Sequence, residues 1–222
     1  MVEPPRHAGS PMNTPHRLDL DDVRIRLGGQ TLVALDARIG PGEVLTVMGP
    51  SGSGKSTLLA YLAGFLAPEF QATGRILLDG RDLGDLPAER RGIGLLFQDP
   101  LLFPHLSVAG NLRFGMPRAT ADKAARVEQA LARIGLADYG HRDPATLSGG
   151  QKARVALMRL LLSAPCAVLL DEPFSKLDTH LRQEMRQLVF DRLREAGLPS
   201  LLVTHDREDA AAAGGRVIEL SS

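Results

Sequence analysis

Gly49-Pro50-Ser51-Gly52-Ser53-Gly54-Lys55-Ser56-Thr57 fits the pattern G-x-x-x-x-G-K-[ST], a glycine loop that opens a helix. The chemistry on offer is capture of a phosphate chain. The first N–H groups of a helix have no intrahelical partners, and with the positive end of the helix dipole they make an anion site. Glycines at 49, 52 and 54 let the backbone approach oxygens where a Cβ would obstruct it. Lys55 can bridge β- and γ-phosphates, and Ser56 can offer its hydroxyl to Mg²⁺. Lysine occurs only at 55, 123, 152 and 176 in this arginine-rich chain, so a lysine at the phosphate position stands out from the background.

Five further signals follow in order. Gln98 ends the apolar stretch Ile93-Gly94-Leu95-Leu96-Phe97. Leu147-Ser148-Gly149-Gly150-Gln151 opens a second helix, with Ser148 as its cap and two glycines that let N–H groups approach an oxyanion. Asp171 and Glu172 end the most apolar run, Ala167-Val168-Leu169-Leu170. In a parallel sheet that places both carboxylates at the ligand-binding edge. Asp178 closes Ser175-Lys176-Leu177-Asp178, and His205 follows Ser200-Leu201-Leu202-Val203-Thr204.

These groups need a scaffold. Residues 17–27 and 31–39 alternate apolar and polar positions around Gly28-Gly29, as a hairpin does. Residues 43–48 read as a buried strand feeding the phosphate loop, and residues 58–63 as an apolar helix stopped by Gly64. Strands are expected at 74–80, 92–97, 167–170, 200–203 and 216–220, and helices at 120–134, 152–163 and 181–196. The expected fold is α/β, with a mostly parallel nucleotide core, an N-terminal antiparallel subdomain and a helical insertion over about 99–146. Residues 1–17 read as a disordered leader and 18–222 as one α/β domain. No regulatory domain is expected after the last strand.

Taken together, the phosphate loop, Gln98, Leu147-Ser148-Gly149-Gly150-Gln151, Asp171-Glu172, Asp178 and His205 resemble the ATP-binding cassette (ABC) ATPase family over residues 18–220. The resemblance implies MgATP hydrolysis. Asp171 would hold Mg²⁺ with Ser56 and Gln98, and Glu172 would act as general base. His205 would contact the γ-phosphate. Ser148, Gly149, Gly150 and Gln151 would meet the γ-phosphate held by a second subunit, and Asp178 would act across that ATP-dependent homodimer. Lys176 departs from the family's Ser-Ala-Leu-Asp loop. Leu27 stands where the family places an adenine-stacking aromatic, and Phe70 and Tyr61 are the other rings considered for the base.

The segment before Ser148, His141-Arg142-Asp143-Pro144-Ala145-Thr146, lacks the acidic-glycine element of exporters. It resembles importers of the thiamine, iron and molybdate type, which implies a separate membrane permease and a solute-binding protein. Leu101-Leu102-Phe103-Pro104 would line the groove for a permease helix. The alternative is a soluble ABC ATPase outside transport, but no long coiled-coil insertion or second cassette is present.

The formal charge is +0 over 222 residues, which gives no basis for a nucleic-acid partner. No run approaches the roughly 18 apolar residues of a membrane span, and the first residues lack a signal-peptide core. A single cysteine, Cys166, permits no intrachain disulfide and reads as a small core residue. The expected setting is cytoplasmic, peripheral on the inner membrane face through the permease. His7 and His16 carry no metal assignment.

Overall fold

The computed structural model describes residues 15–220. The leader reading for residues 1–14 lies outside them. His16 and Arg17 already hold the Asp79 carboxylate, through Nδ1 at 2.7 Å and the backbone N–H at 2.8 Å.

Alternating apolar residues build the antiparallel sheet. Leu18, Leu20, Val23 and Ile25 of β1 (Leu18–Leu27) are buried, as are Val33, Leu35, Ala37 and Ile39 of β2 (Gln30–Ile39). With β4 (Phe70–Leu78) and β5 (Arg81–Asp82) the order is β2-β1-β4-β5. β4 begins four residues before the expected 74. Phe70 and Ala72 are half-buried against the core while Gln71 and Thr73 are exposed, and each of the four finds a partner on β1.

The second sheet is parallel, in the order β6-β7-β8-β3-β9. It comprises β3 (Val44–Met48), β6 (Ile93–Leu96), β7 (Ala167–Asp171), β8 (Ser200–Thr204) and β9 (Val217–Glu219). Every residue of β3 and β8 is buried, as expected of strands covered on both faces. Four neighbouring strands, β6, β7, β8 and β3, therefore deliver Gln98, Asp171-Glu172, His205 and the phosphate loop to the same edge.

α1 (Lys55–Ala63) ends at Gly64, which takes φ 91° and donates to the Ala60 and Tyr61 carbonyls. α2 (Val108–Gly115) was not expected, because prolines and two glycines obscure its pattern. It is started by Ser107, whose hydroxyl accepts from Gly110 N–H. α3 (Lys123–Arg133) begins three residues later than expected, while α4 (Gly149–Leu162) begins three earlier. α5 (Thr179–Glu195) is capped by Asp178, and α6 (Arg207–Ala213) forms where no helix is expected. One face of α4 (Val155, Met158) packs with α2 and α3, and another (Ala156, Leu157, Leu160) packs on β7, β8 and α5. α4 thus joins the helical layer to the parallel sheet.

Candidate functional site

The phosphate loop leaves β3 and enters α1 through Gly54 at φ 89°. A Cβ there would lie 2.7 Å from Val33 Cγ2, so only glycine lets the loop sit against β2. Lys55 is 7% exposed. Its ammonium donates back to the Gly49 and Pro50 carbonyls at 2.7 and 2.8 Å. Ser51, Gly52 and Ser56 are exposed, and Thr57 is half-buried. A Cβ on Gly52 would meet nothing within 4 Å. Ser53 Oγ is buried without a hydrogen-bond partner among the described residues. An open glycine turn, an orphaned hydroxyl and an ammonium held by carbonyls fit a phosphate chain.

Asp171 and Glu172 leave β7 beside β8. Asp171 is in register with Val203, and Glu172 N–H donates to the Val203 carbonyl at 3.0 Å. Glu172 has φ 43°, a left-handed conformation that costs a side-chain-bearing residue about 1–3 kcal/mol. Its position before Pro173 disfavours this further. Burial, and then the Glu172 charge, hold the Asp171 carboxyl above its ordinary range, while Lys55 pulls it the other way. His205 Nδ1 lies 3.2 Å from Glu172 Oε1. With a hydroxyl at Ser56, a carboxylate at Asp171 and an amide at Gln98, the donors are hard oxygens, which suit Mg²⁺ with water and phosphate completing its shell.

A second layer escaped sequence reasoning. Arg186, 7% exposed, donates from three nitrogens to Asp209 (2.5 Å), Glu208 (2.7 Å) and Asp206 (2.8 Å). Asp209 also accepts from Thr204 Oγ1 at 2.8 Å, and that hydroxyl accepts from Asp206 N–H at 3.0 Å. His205 is therefore flanked on both sides by residues tied to Arg186. Arg182, one turn earlier, holds the Leu177 carbonyl at 2.9 Å and reaches Asp206 at 3.5 Å. No local spacing links residues 182 and 186 to 204–209; only the packing of α5 against α6 does.

Ser148 caps α4 in a reciprocal box. Its hydroxyl accepts from Gln151 N–H at 3.3 Å, and its own N–H donates to Gln151 Oε1 at 3.0 Å. Gly149 has open space where a Cβ would be, whereas one on Gly150 would lie 2.5 Å from Leu181 Cδ1. Gly149 thus leaves an approach open, and Gly150 serves packing on α5. Asp178 Oδ1 accepts from Leu181 N–H at 3.0 Å. Gln98 is exposed at the end of β6. Among the described residues, no hydrogen bond joins Gln98, the 148–151 motif or Asp178 to the phosphate loop.

A groove of about 380 Å³ lies next to Gln98, lined by Phe97, Pro100, Phe103, Phe114 and Arg159 among others. Of Leu101-Leu102-Phe103-Pro104, only Phe103 lines it. Leu101, at φ 43°, turns the chain and is 55% exposed, while Leu102 packs inward. At the outer end of β1, Leu27 is 42% exposed and pairs directly with Phe70 of β4. Tyr61 packs against the core, and burial raises its hydroxyl pKa.

A family profile described as ABC transporter matches residues 32–175. The chain is 46% identical over 198 residues to the uncharacterized ABC transporter ATP-binding protein YnjD of Escherichia coli (strain K12), covering 88% of this chain and 91% of that one. It is 50% identical over 204 residues to the thiamine import ATP-binding protein ThiQ of Cereibacter sphaeroides, covering 90% and 87%. It is 44% identical over 208 residues to the spermidine/putrescine import ATP-binding protein PotA of Pseudomonas aeruginosa (strain UCBPP-PA14), covering 92% of this chain and 56% of the relative. Phosphate loop, paired carboxylates and histidine on adjacent parallel strands agree with these similarities, and the chain belongs to the ABC transporter family as an ATP-binding, ATP-hydrolysing subunit.

Proposed function

We propose that this subunit hydrolyses MgATP as a head-to-tail homodimer and drives import of a small solute through a separate membrane permease. The observation that carries the reading is the convergence of Gln98, Asp171-Glu172, His205 and the phosphate loop on four neighbouring strand ends. Residues 49–57 hold the phosphates, with Lys55 exchanging its carbonyl partners for phosphate oxygens. Ser56, Asp171 and Gln98 hold Mg²⁺, which when bound neutralises charge on the phosphate oxygens. Glu172 accepts the proton of the attacking water, and its strained backbone fixes where the carboxylate points. His205 steadies Glu172 through one ring nitrogen and turns the other towards the terminal phosphate.

The 148–151 motif is a second anion site with no hydrogen bond to the phosphate loop among the described residues, so a two-fold pairing lets each copy meet the other's nucleotide. Asp178 acts at that same interface. The apolar groove beside Gln98 receives a permease helix. No helix among the described residues is long and apolar enough to cross a membrane, and the subunit works from the cytoplasmic face with a solute-binding protein opposite. ThiQ and PotA are named for different solutes, which supports a reading in which solute choice rests with the partner subunits.

Size exclusion tests the pairing. Glu172→Gln with ATP should elute as a dimer, and adding Ser148→Arg should restore the monomer. A dimer indifferent to both nucleotide and that arginine would overturn the arrangement.

A further inference from the structure

We propose that Lys176 is a positioning residue for Gln98, acting through Asp99. The inference rests on the role assigned to Gln98 above. Lys176 Nζ lies 2.6 Å from both carboxylate oxygens of Asp99, across 77 residues of sequence. One end of this contact is the residue after Gln98. The other lies in the 175–178 loop, four residues after Glu172. The two loops leave adjacent parallel strands, β6 and β7, which pair as far as Leu96 and Leu170.

The segment after Gln98 has no regular structure and is held instead by cations on two sides. From α4, Arg159 donates to the Pro100 and Leu101 carbonyls at 3.1 and 2.8 Å. From the 175–178 loop, Lys176 grips Asp99. Gln98 makes no side-chain hydrogen bond among the described residues, so its direction is inherited from this segment. Contact with both oxygens fixes the rotation of the Asp99 side chain as well as its distance. An alanine at 176 has no reach for this. In this chain the loop after the catalytic base and the loop bearing the glutamine are set together.

Both partners are about half exposed, at 52% and 55%, so the contact is screened by salt and its variants should fold. Steady-state ATPase of the full chain at low ionic strength is the test. Lys176→Ala and Asp99→Ala should each lower kcat by about three- to five-fold, the range an exposed ion pair supports, with KM for ATP moving by less than about two-fold. Lys176→Arg should keep the rate, and the charge swap Asp99→Lys with Lys176→Asp should recover most of it. The deficit should shrink in ~0.5 M NaCl. In a Gln98→Ala background, Lys176→Ala should cost nothing more. Parental rates in both single variants beside an impaired Gln98→Ala would overturn the clamp while sparing the reading of Gln98. So would a charge swap no better than the single variants, or a full further loss in the Gln98→Ala background. A parental rate in Gln98→Ala itself would overturn the role of Gln98 and this proposal with it.

Discussion

His205 Nδ1 stands 3.2 Å from Glu172 Oε1, a contact between the ends of neighbouring strands β7 and β8. It ties the carboxylate to the end of β8, while the Glu172 backbone takes a left-handed φ of 43° that no local preference would select. Glu172→Gln keeps the shape and removes the carboxylate proposed as proton acceptor. Turnover should fall by about 10²-fold or more with nucleotide affinity unchanged. Lys55→Ala should instead weaken binding itself. Steady-state hydrolysis beside titration of a non-hydrolysable analogue separates the two, and a parental rate in the glutamine variant would remove Glu172 from the base role.

Arg186 gives a stability prediction. Removing its guanidinium leaves the Asp209 carboxylate, 4% exposed, without its charged partner. Breaking a buried pair from one side costs about 3–5 kcal/mol, so Arg186→Met should lose stability of that order in urea unfolding. Arg186→Lys should fall between, because an ammonium cannot supply the fork to three carboxylates.

The pH dependence has a definite sign. Burial holds the Asp209 carboxyl above its usual range even with Thr204 and Arg186 pulling it down. The folded state therefore binds this proton more readily than the unfolded chain does. The group's contribution is most favourable below the ordinary carboxylate value of about 3.9, and it declines as pH rises through the raised one. Loss of Arg186 raises that value further. The Arg186→Met deficit should accordingly be smaller in mild acid than at neutral pH. A deficit under about 1 kcal/mol, or one that grows in acid, would contradict the assignment.

What could be read in the sequence follows the range of the forces involved. The phosphate loop, the Ser148 cap and the buried strands are written in local spacing, because backbone donors and apolar periodicity act within a few residues. α2 and α6 were hidden. The first carries Gly110 and Gly115, and the second is a seven-residue, alanine-rich helix after a polar turn. The Arg186 cluster spans 20–23 residues and the Lys176–Asp99 pair 77, with no periodic signal in either. Lys176 could be noticed only as a departure from a pattern, and its partner only from the fold. The left-handed backbone of Glu172 had no signal at all, since its neighbours Asp171 and Pro173 predict extended chain.

Cys166 offers a single-site probe. Its backbone N–H donates to the Gly92 carbonyl at 2.8 Å, and burial, followed by the Asp79 charge, pushes the thiol pKa up. A raised pKa leaves less thiolate at a given pH. Iodoacetamide at pH 8 should therefore modify the native thiol about tenfold or more slowly than the urea-unfolded one. Equal rates would mean that the Cys166 side chain is open to solvent.

Leu27 and Phe70 are the two candidates for the base-binding end of the proposed site. Directly opposed residues of an antiparallel pair share a face, so these two leave the sheet together. β2 runs alongside, and its Val33 bounds Gly54 of the phosphate loop. Phe70 is half-buried and packs on the core cluster, whereas Leu27 is 42% exposed. The exposed member is the one available to a base, and it has no π-face. Phosphate and metal contacts are the same for ATP and GTP, so the parent chain should bind their analogues with similar affinity. Stacking on an aromatic ring is worth about 1–3 kcal/mol. Leucine keeps part of the apolar contact, so Leu27→Tyr should tighten both analogues by roughly 5–10-fold. Phe70→Ala should instead cost about 1–3 kcal/mol of stability and leave affinity unchanged. Fluorescence titration of both analogues, with urea unfolding of each variant, decides between the two positions. Sub-micromolar parental binding with strong ATP preference and no gain from tyrosine would remove Leu27 from the site. Loss of affinity without loss of stability in Phe70→Ala would assign the base to that ring.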